Sequence, residues 1–220
     1  MKDGNITHQM IFCLTLKTTS PTVGLIMKDY TKQAGNETGR NPNYMYRGIK
    51  IDGFLTKEQA SYIIEQAISS DLWEESEDRF WTNRLINCSN IERYDPEVAR
   101  LMKDANRRCK EVLKDKYGLD CKSDTLQIIR WFPGMEQPLH ADDMTNTEHR
   151  GFEHRLFGSI IYLNEDYQGG KTYYGNFDIE ITPQAGTLAI HPGDVEHLHG
   201  VTKIEGGTRY TIAQFWALDN

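Results

Sequence analysis

GTLAIHPGDVEHLHGVTKIEGGTRYTIAQFWAL, residues 186–218, packs three runs rich in β-branched and aromatic residues between turn signals. GTLAIHP, HGVTKI and TRYTIAQFWAL are each of strand length, and GDVEHL and EGG divide them. Alternation along the last run puts Arg209 on one face with Thr211, Ala213 and Phe215, so a cation stands on a mostly apolar, inward-pointing surface. Upstream, LQIIRWF, LFGSIIYLN, KTYYGN and FDIEIT carry the same texture from about Thr125 onward. Short strands repeating at this spacing with Gly, Pro, Asn and Asp between them predict an antiparallel sandwich or barrel.

Two helical patterns precede the strands. Thr56 is placed to cap a helix whose apolar residues Ala60, Ile63, Ile64, Ala67 and Ile68 follow the spacing of one helix face. A second begins at Asp95 with Pro96 in its first turn, runs through Val98, Leu101, Met102, Ala105, Cys109, Val112 and Leu113, and meets Gly118. Helices followed by strands give an α+β domain, mainly β, with the helices bracing the outside of the sheet. Residues 28–47 are polar, rich in Gly and Asn, and without apolar period, which marks a linker or exposed loop. The expected layout is an N-terminal extension over 1–45, to which no function is assigned, and one domain over 46–220 with its β core at about 125–217.

Composition narrows the function classes. With 25 basic and 32 acidic residues the formal charge is -7, which argues against a nucleic-acid binder and against an anionic membrane surface. Nothing approaches the roughly 20 consecutive apolar residues that would span a bilayer. No basic region precedes MIFCLTLKTTSPTVGLIM, so a secretion signal is not expected. Cys13, Cys88, Cys109 and Cys121 show neither zinc-site spacing nor disulfide-scaffold density and read as reduced thiols, in keeping with a cytoplasmic location.

Between the first two long strands lies PLHADDMTNTEHRGFEHR, residues 138–155. If LHADD is extended, His140 and Asp142 share one face while Ala141 and Asp143 point away. Two histidines and one carboxylate on one side of an ion form the facial arrangement of non-haem Fe(II), which leaves coordination positions open. His149, His154, His191, His197 and His199 are all candidates for the third ligand. Strand parity does not separate His197 from His199, since the two would share a face. His191 reads as a strand-end residue, and His149 and His154 fall in a polar loop that could serve as a lid over a metal.

The order of the remaining features supplies a resemblance. Phe132, Pro133 and Gly134 are followed by His140 and Asp142, then Tyr162, Leu163 and Asn164, Gly169 and Gly170, His199 and Val201, and Gly207 and Arg209. In this order they resemble the prolyl 4-hydroxylase-like branch of the 2-oxoglutarate and Fe(II)-dependent oxygenases, over residues 125–217. The resemblance implies a double-stranded β-helix, or jelly-roll barrel. It also implies His140, Asp142 and His199 as metal ligands and catalytic centre. Arg209 would bind the far carboxylate of 2-oxoglutarate, with Tyr162 and, more weakly, Thr172 beside it. Phe132 stands where many relatives carry tyrosine.

The chemistry implied is hydroxylation of an unactivated C–H bond with Fe(II), 2-oxoglutarate and O2, releasing succinate and CO2, with ascorbate as a reductant to consider. Asp142 favours hydroxylation over halogen transfer. The substrate expected is a prolyl residue in a peptide or a free amino acid, with Arg155 and Trp131 as candidate contacts and Trp216 and Tyr173 as possible cavity walls. Two other readings stay open: a non-catalytic jelly-roll binding protein, and a cupin-like metalloenzyme that does not use 2-oxoglutarate. The latter requires an acidic partner for Arg209.

Overall fold

The computed structural model describes residues 47–144 and 151–219. The extension over 1–45 and the loop that holds His149 lie outside the described residues. The helices are α1 (Lys57–Ser69), α2 (Cys88–Tyr94) and α3 (Pro96–Tyr117). The strands are β1 (Ile49–Ile51), β2 (Leu85–Asn87), β3 (Cys121–Ser123), β4 (Gln127–Trp131), β5 (Gln137–His140), β6 (Phe157–Tyr162), β7 (Gln168–Gly169), β8 (Thr172–Tyr174), β9 (Ile179–Ile181), β10 (Leu188–Pro192), β11 (His199–Val201), β12 (Ile204–Gly206) and β13 (Arg209–Leu218).

Both expected helices form with their expected ends. Thr56 accepts from the Gln59 backbone N–H while the Gln59 side chain reaches back to the Thr56 backbone, a complete capping box. Asp95 caps α3 through the N–H groups of Glu97 and Val98, and Gly118 closes it at φ 70°, a left-handed position that costs a side chain with Cβ. Sequence periodicity did not show α2, because CSNIERY is barely two turns long and buries only Cys88 and Ile91. Of the α1 face, Ala60, Ile63 and Ala67 are buried whereas Ile68 is exposed.

All pairings are antiparallel. Among the described residues the largest sheet runs β1-β10-β6-β13-β4-β2 with β3 also on β13, and the smaller runs β5-β11-β8-β9. This is the double-stranded β-helix expected, with a β7–β12 ribbon at one end. One face of the large sheet carries Ile128, Ile161, Ile190, Ile212 and Trp216 into a core shared with α1 and α3. Its other face turns toward the small sheet, and residues of both line one cavity of about 90 Å³. Gln214, which β13 sends toward α3, is fully buried and accepts from Asn106 Nδ2 at 2.7 Å. No helix among the described residues is long and apolar enough to cross a membrane.

Candidate metal centre and anion pocket

β-sheet register brings the first two candidate ligands together. His140, the last residue of β5, is the cross-strand partner of His199, the first residue of β11, and their rings lie 4.5 Å apart. Each ring is oriented by a backbone carbonyl: His140 Nδ1 lies 3.0 Å from Pro138 O, and His199 Nδ1 lies 3.1 Å from His197 O. With Nδ1–H donating to a carbonyl, each imidazole keeps its Nε2 lone pair free, as a metal-binding histidine requires. Both Nε2 atoms face one carboxylate oxygen, Asp142 Oδ1, at 3.8 Å from His140 and 3.4 Å from His199. One ligand atom from each of the three residues lies within 4.8 Å of the others, the only such group among the described residues.

Asp142 reaches this point differently from the expected alternation. β5 stops at His140; Asp142 stands in the turn that follows, and Ala141, expected to point away, is fully buried. Backbone bonds from Asp143 N to Gly193 O (3.0 Å) and Met144 N to Ala141 O (3.1 Å) fold this turn inward. The carboxylate lies against Gly158, where a Cβ would come within 2.1 Å of Asp142 Oδ2 and 2.7 Å of His191 Nε2. Only a glycine leaves room there.

Electrostatics hold the centre ready for a cation. Burial works against the Asp142 charge, yet His199 and His191 beside it hold its carboxyl well below the usual range. Burial also opposes charge on His199, but Asp142 outweighs it and raises the imidazole. His140 is lowered by burial and by the neighbouring His199. His191, fully buried, is pushed down to about 4 and is therefore neutral near pH 7.

His191 is the residue that the sequence undervalued. Its Nε2 lies 3.1 Å from Asp142 Oδ2, its Nδ1 lies 2.9 Å from the Tyr174 hydroxyl, and its ring centre lies 4.0 Å from that of His199, tilted by 51°. Parity carried the signal: in β10 Leu188 and Ile190 join the helix-covered core, so Ala189 and His191 face the other way. His197 corrects the parity argument in the opposite sense. It belongs to a 3₁₀ turn, Val195–His197, so it does not share a strand face with His199. Its Nδ1 bonds Asp194 at 2.8 Å and its Nε2 accepts from the Arg47 backbone N–H at 3.1 Å.

Deeper in the cavity, Arg209 is 1% exposed and forms no ion pair among the described residues. Its guanidinium lies 5.4 Å from the Trp131 ring centre and 5.3 Å from that of Tyr162. Its Nη2 makes a long hydrogen bond, 3.4 Å, to Thr172 Oγ1, the Tyr162 and Tyr167 side chains sit beside it, and its buried Nε has no partner among the described residues. Tyr162, also fully buried, donates to the same Thr172 oxygen at 2.6 Å. The structure thus gathers Arg209, Tyr162 and Thr172, and Thr172, the weakest candidate, joins the other two.

The surroundings of Arg209 are rich in buried groups lacking partners: Trp131 Nε1, Tyr167 Oη and Arg84 Nη2. Arg84 was not singled out in the sequence. It is fully buried, its guanidinium 4.1 Å from the Trp131 ring centre, 4.3 Å from Phe80 and 4.7 Å from Trp81, while Nε and Nη1 donate to the carbonyls of Arg130 and Phe80. Burial and the Arg209 charge pull it down to about 10. Arg84 lies behind Trp131 and does not line the cavity, so it is Arg209, buried there without an ion-pair partner among the described residues, that makes the cavity favour an anion.

The substrate candidates divide. Trp131 lines the cavity with Trp81, Ile129 and Phe215. Arg155 does not: its Nε binds Asp124 at 2.9 Å and its guanidinium stacks 3.8 Å from the Phe215 ring centre, so its charge is already partnered. His154 shares the same Asp124 at 3.1 Å. Trp216 faces the helices and donates to Ser159, and neither Phe132 nor Tyr173 is among the lining residues.

Residues 126–217 match the family model of the 2OG-Fe(II) oxygenase superfamily. Among curated proteins, Prolyl 3-hydroxylase 1 of Mus musculus is 30% identical over 147 residues, 56% of this chain and 20% of its own length. Prolyl 3-hydroxylase 2 of Homo sapiens is 23% identical over 145 residues, 55% of this chain and 20% of its own length. The chain thus spans about a fifth of each of these relatives. In fold it is similar to the viral collagen prolyl hydroxylase of Paramecium Bursaria Chlorella virus-1, solved as a 2OG complex (TM-score 0.62, 22% identity, 80% of this chain and 97% of that one). It is also similar to a Trichoplax adhaerens prolyl hydroxylase solved with a peptide fragment (TM-score 0.62, 16% identity, 78% and 84%).

Proposed function

We propose that this protein is an Fe(II)- and 2-oxoglutarate-dependent oxygenase that hydroxylates an unactivated C–H bond, with a prolyl residue in a peptide as the favoured substrate and a free amino acid as the other. The observation that carries this reading is the meeting, in one cavity, of a His-Asp-His cluster and a buried guanidinium without a carboxylate. The donor set fits Fe(II), being two imidazole nitrogens and a carboxylate grouped on one side. Bound there with 2-oxoglutarate and O2, the iron supplies the oxidative chemistry that yields succinate, CO2 and a hydroxylated product.

The chain's own residues bind and orient. His140, Asp142 and His199 would hold the metal, and Arg209 would receive the far carboxylate of the keto acid in a charge-assisted pair, with the Thr172 hydroxyl beside it. Trp131, Trp81, Ile129 and Phe215 present apolar walls that exclude water and leave room for an uncharged ring or chain. A cupin-like enzyme without 2-oxoglutarate loses support because no acidic side chain among the described residues pairs with Arg209.

The test uses protein purified without oxygen, loaded with Fe(II) and offered 2-oxoglutarate with proline-containing peptides and free amino acids. Succinate should form, and the product should gain one oxygen, placed on the ring carbon by fragmentation mass spectrometry. Ascorbate dependence is read in the same assay. If no candidate drives succinate formation and His199→Ala still binds Fe(II), the reading fails.

A further inference from the structure

Asp142 has two carboxylate oxygens, and the structure treats them differently. Oδ1 faces the Nε2 atoms of His140 and His199, while Oδ2 points the other way and meets His191 Nε2 at 3.1 Å. The Tyr174 hydroxyl sits 2.9 Å from His191 Nδ1. Tyr174, His191 and Asp142 therefore form a chain from β8 through β10 to the turn after β5. Gly158 supplies the space, since a Cβ there would strike both Oδ2 and His191 Nε2.

The partners assign the protons. A carboxylate oxygen only accepts, so the nitrogen facing it must carry the hydrogen, and a neutral imidazole then has a lone pair on Nδ1 for the tyrosine hydroxyl to donate to. Tyr174 thereby fixes the tautomer of His191, and His191 fixes Asp142. Both residues are almost fully buried, so water does not compete for these bonds.

We infer that His191 is a positioning residue that ties up Asp142 Oδ2, so that Asp142 offers the metal one oxygen rather than two. A carboxylate free to bind through both oxygens would occupy an additional coordination position that cosubstrate and oxygen need. The inference rests on the metal-centre reading above and adds to it the number of positions left open.

The experiment is a titration of the full chain with Co(II), whose visible d–d bands report both affinity and coordination number, repeated with Fe(II) and 2-oxoglutarate under anaerobic conditions. His191→Phe keeps the ring bulk and removes the donor; it should weaken metal affinity by about 10–100-fold, the usual cost of losing a residue that orients a ligand, and change the Co(II) spectrum. His191→Gln keeps an N–H donor but is no imidazole, and should recover most of that loss. Tyr174→Phe removes one hydroxyl at no cost in volume and should weaken metal binding in the same direction by less. Circular dichroism shows which variants fold; should His191→Phe fail to fold, Tyr174→Phe and His191→Gln decide. Unchanged affinity and spectrum in the folded His191→Phe protein, or in Tyr174→Phe if it alone folds, overturn the inference, as does a glutamine no better than phenylalanine. A wild-type chain that binds neither metal would instead overturn the metal-centre reading itself.

Discussion

β13 presents two faces that obey different rules. Toward α3 it turns Ile212, Gln214 and Trp216, and there Gln214 and Trp216 find partners: Gln214 accepts from Asn106 at 2.7 Å and donates toward Cys109 Sγ at 3.6 Å, and Trp216 Nε1 donates to Ser159 at 2.9 Å. Toward the cavity it turns Arg209, Thr211, Ala213 and Phe215, and there a full charge is buried with its Nε unpartnered. Folding alone would select against the second arrangement, since an unpaired buried cation costs more than its packing returns. The Gln214 and Trp216 polar groups that β13 turns to the helix side are satisfied by the fold; the Arg209 Nε that it turns to the cavity is not.

That contrast can be broken most severely at the metal cluster. Asp142→Ala and His199→Ala each remove a ligand, so the loss in Fe(II) affinity should exceed the roughly 10–100-fold typical of a supporting residue, with succinate formation falling to background. In the metal-free protein Asp142→Ala strands the buried His191 N–H and should cost about 1–3 kcal/mol, whereas His199→Ala removes a group whose charge burial opposes and should move the thermal melt less. A drop for His199→Ala larger than that for Asp142→Ala would place His199 with the folding face instead.

Arg209→Met sharpens the comparison next. Losing a charge-assisted pair of about 1.5–3 kcal/mol should weaken 2-oxoglutarate binding by about tenfold to a hundredfold in a calorimetric titration. The ligand-free protein should be at least as stable as the wild type, since the substitution removes an unpaired buried charge. A destabilised variant with unaltered binding would mean that the guanidinium serves the fold. Thr172→Val should have a smaller, mixed effect: it strands the Tyr162 hydroxyl, which costs about 1–3 kcal/mol of stability, and it takes one oxygen from the pocket.

How much of this was legible in the sequence follows the same division. α1 and α3, their caps and most strands were readable because capping and alternation are local rules, as Thr56, Asp95 and Gly118 illustrate. The β5 end at His140, the inward turn at Asp142 and the 3₁₀ turn at His197 were not, because backbone bonds to Gly193 and Asp194, far along the chain or outside any periodic pattern, decide them. The order of motifs made His140, Asp142, His199 and Arg209 candidates. Their convergence depends on register, the His140–His199 pairing above all, which no local pattern encodes. Arg84 escaped notice because nothing in WTNRLIN distinguishes a caged arginine from a solvated one. Arg155, offered as a substrate contact or a surface cation, is paired with Asp124, a partner in a different segment that no local pattern points to.

The gentlest challenge lies on the helix side. Gln214→Leu keeps the bulk and removes the acceptor for Asn106, whose amide still donates to Ser123 Oγ at 2.7 Å. The expected cost is therefore about 1 kcal/mol, a shift of about 2–4 °C in melting temperature for a chain of this size. Adding Asn106→Leu should recover part of the loss, because replacing both partners leaves neither buried group stranded. Neither change should alter metal or 2-oxoglutarate affinity, since Gln214 and Arg209 lie on opposite sides of one strand. If the single substitution weakened cosubstrate binding as strongly as Arg209→Met, β13 would be transmitting strain between its faces, and the separation of a self-satisfied face from a ligand-seeking one would fail.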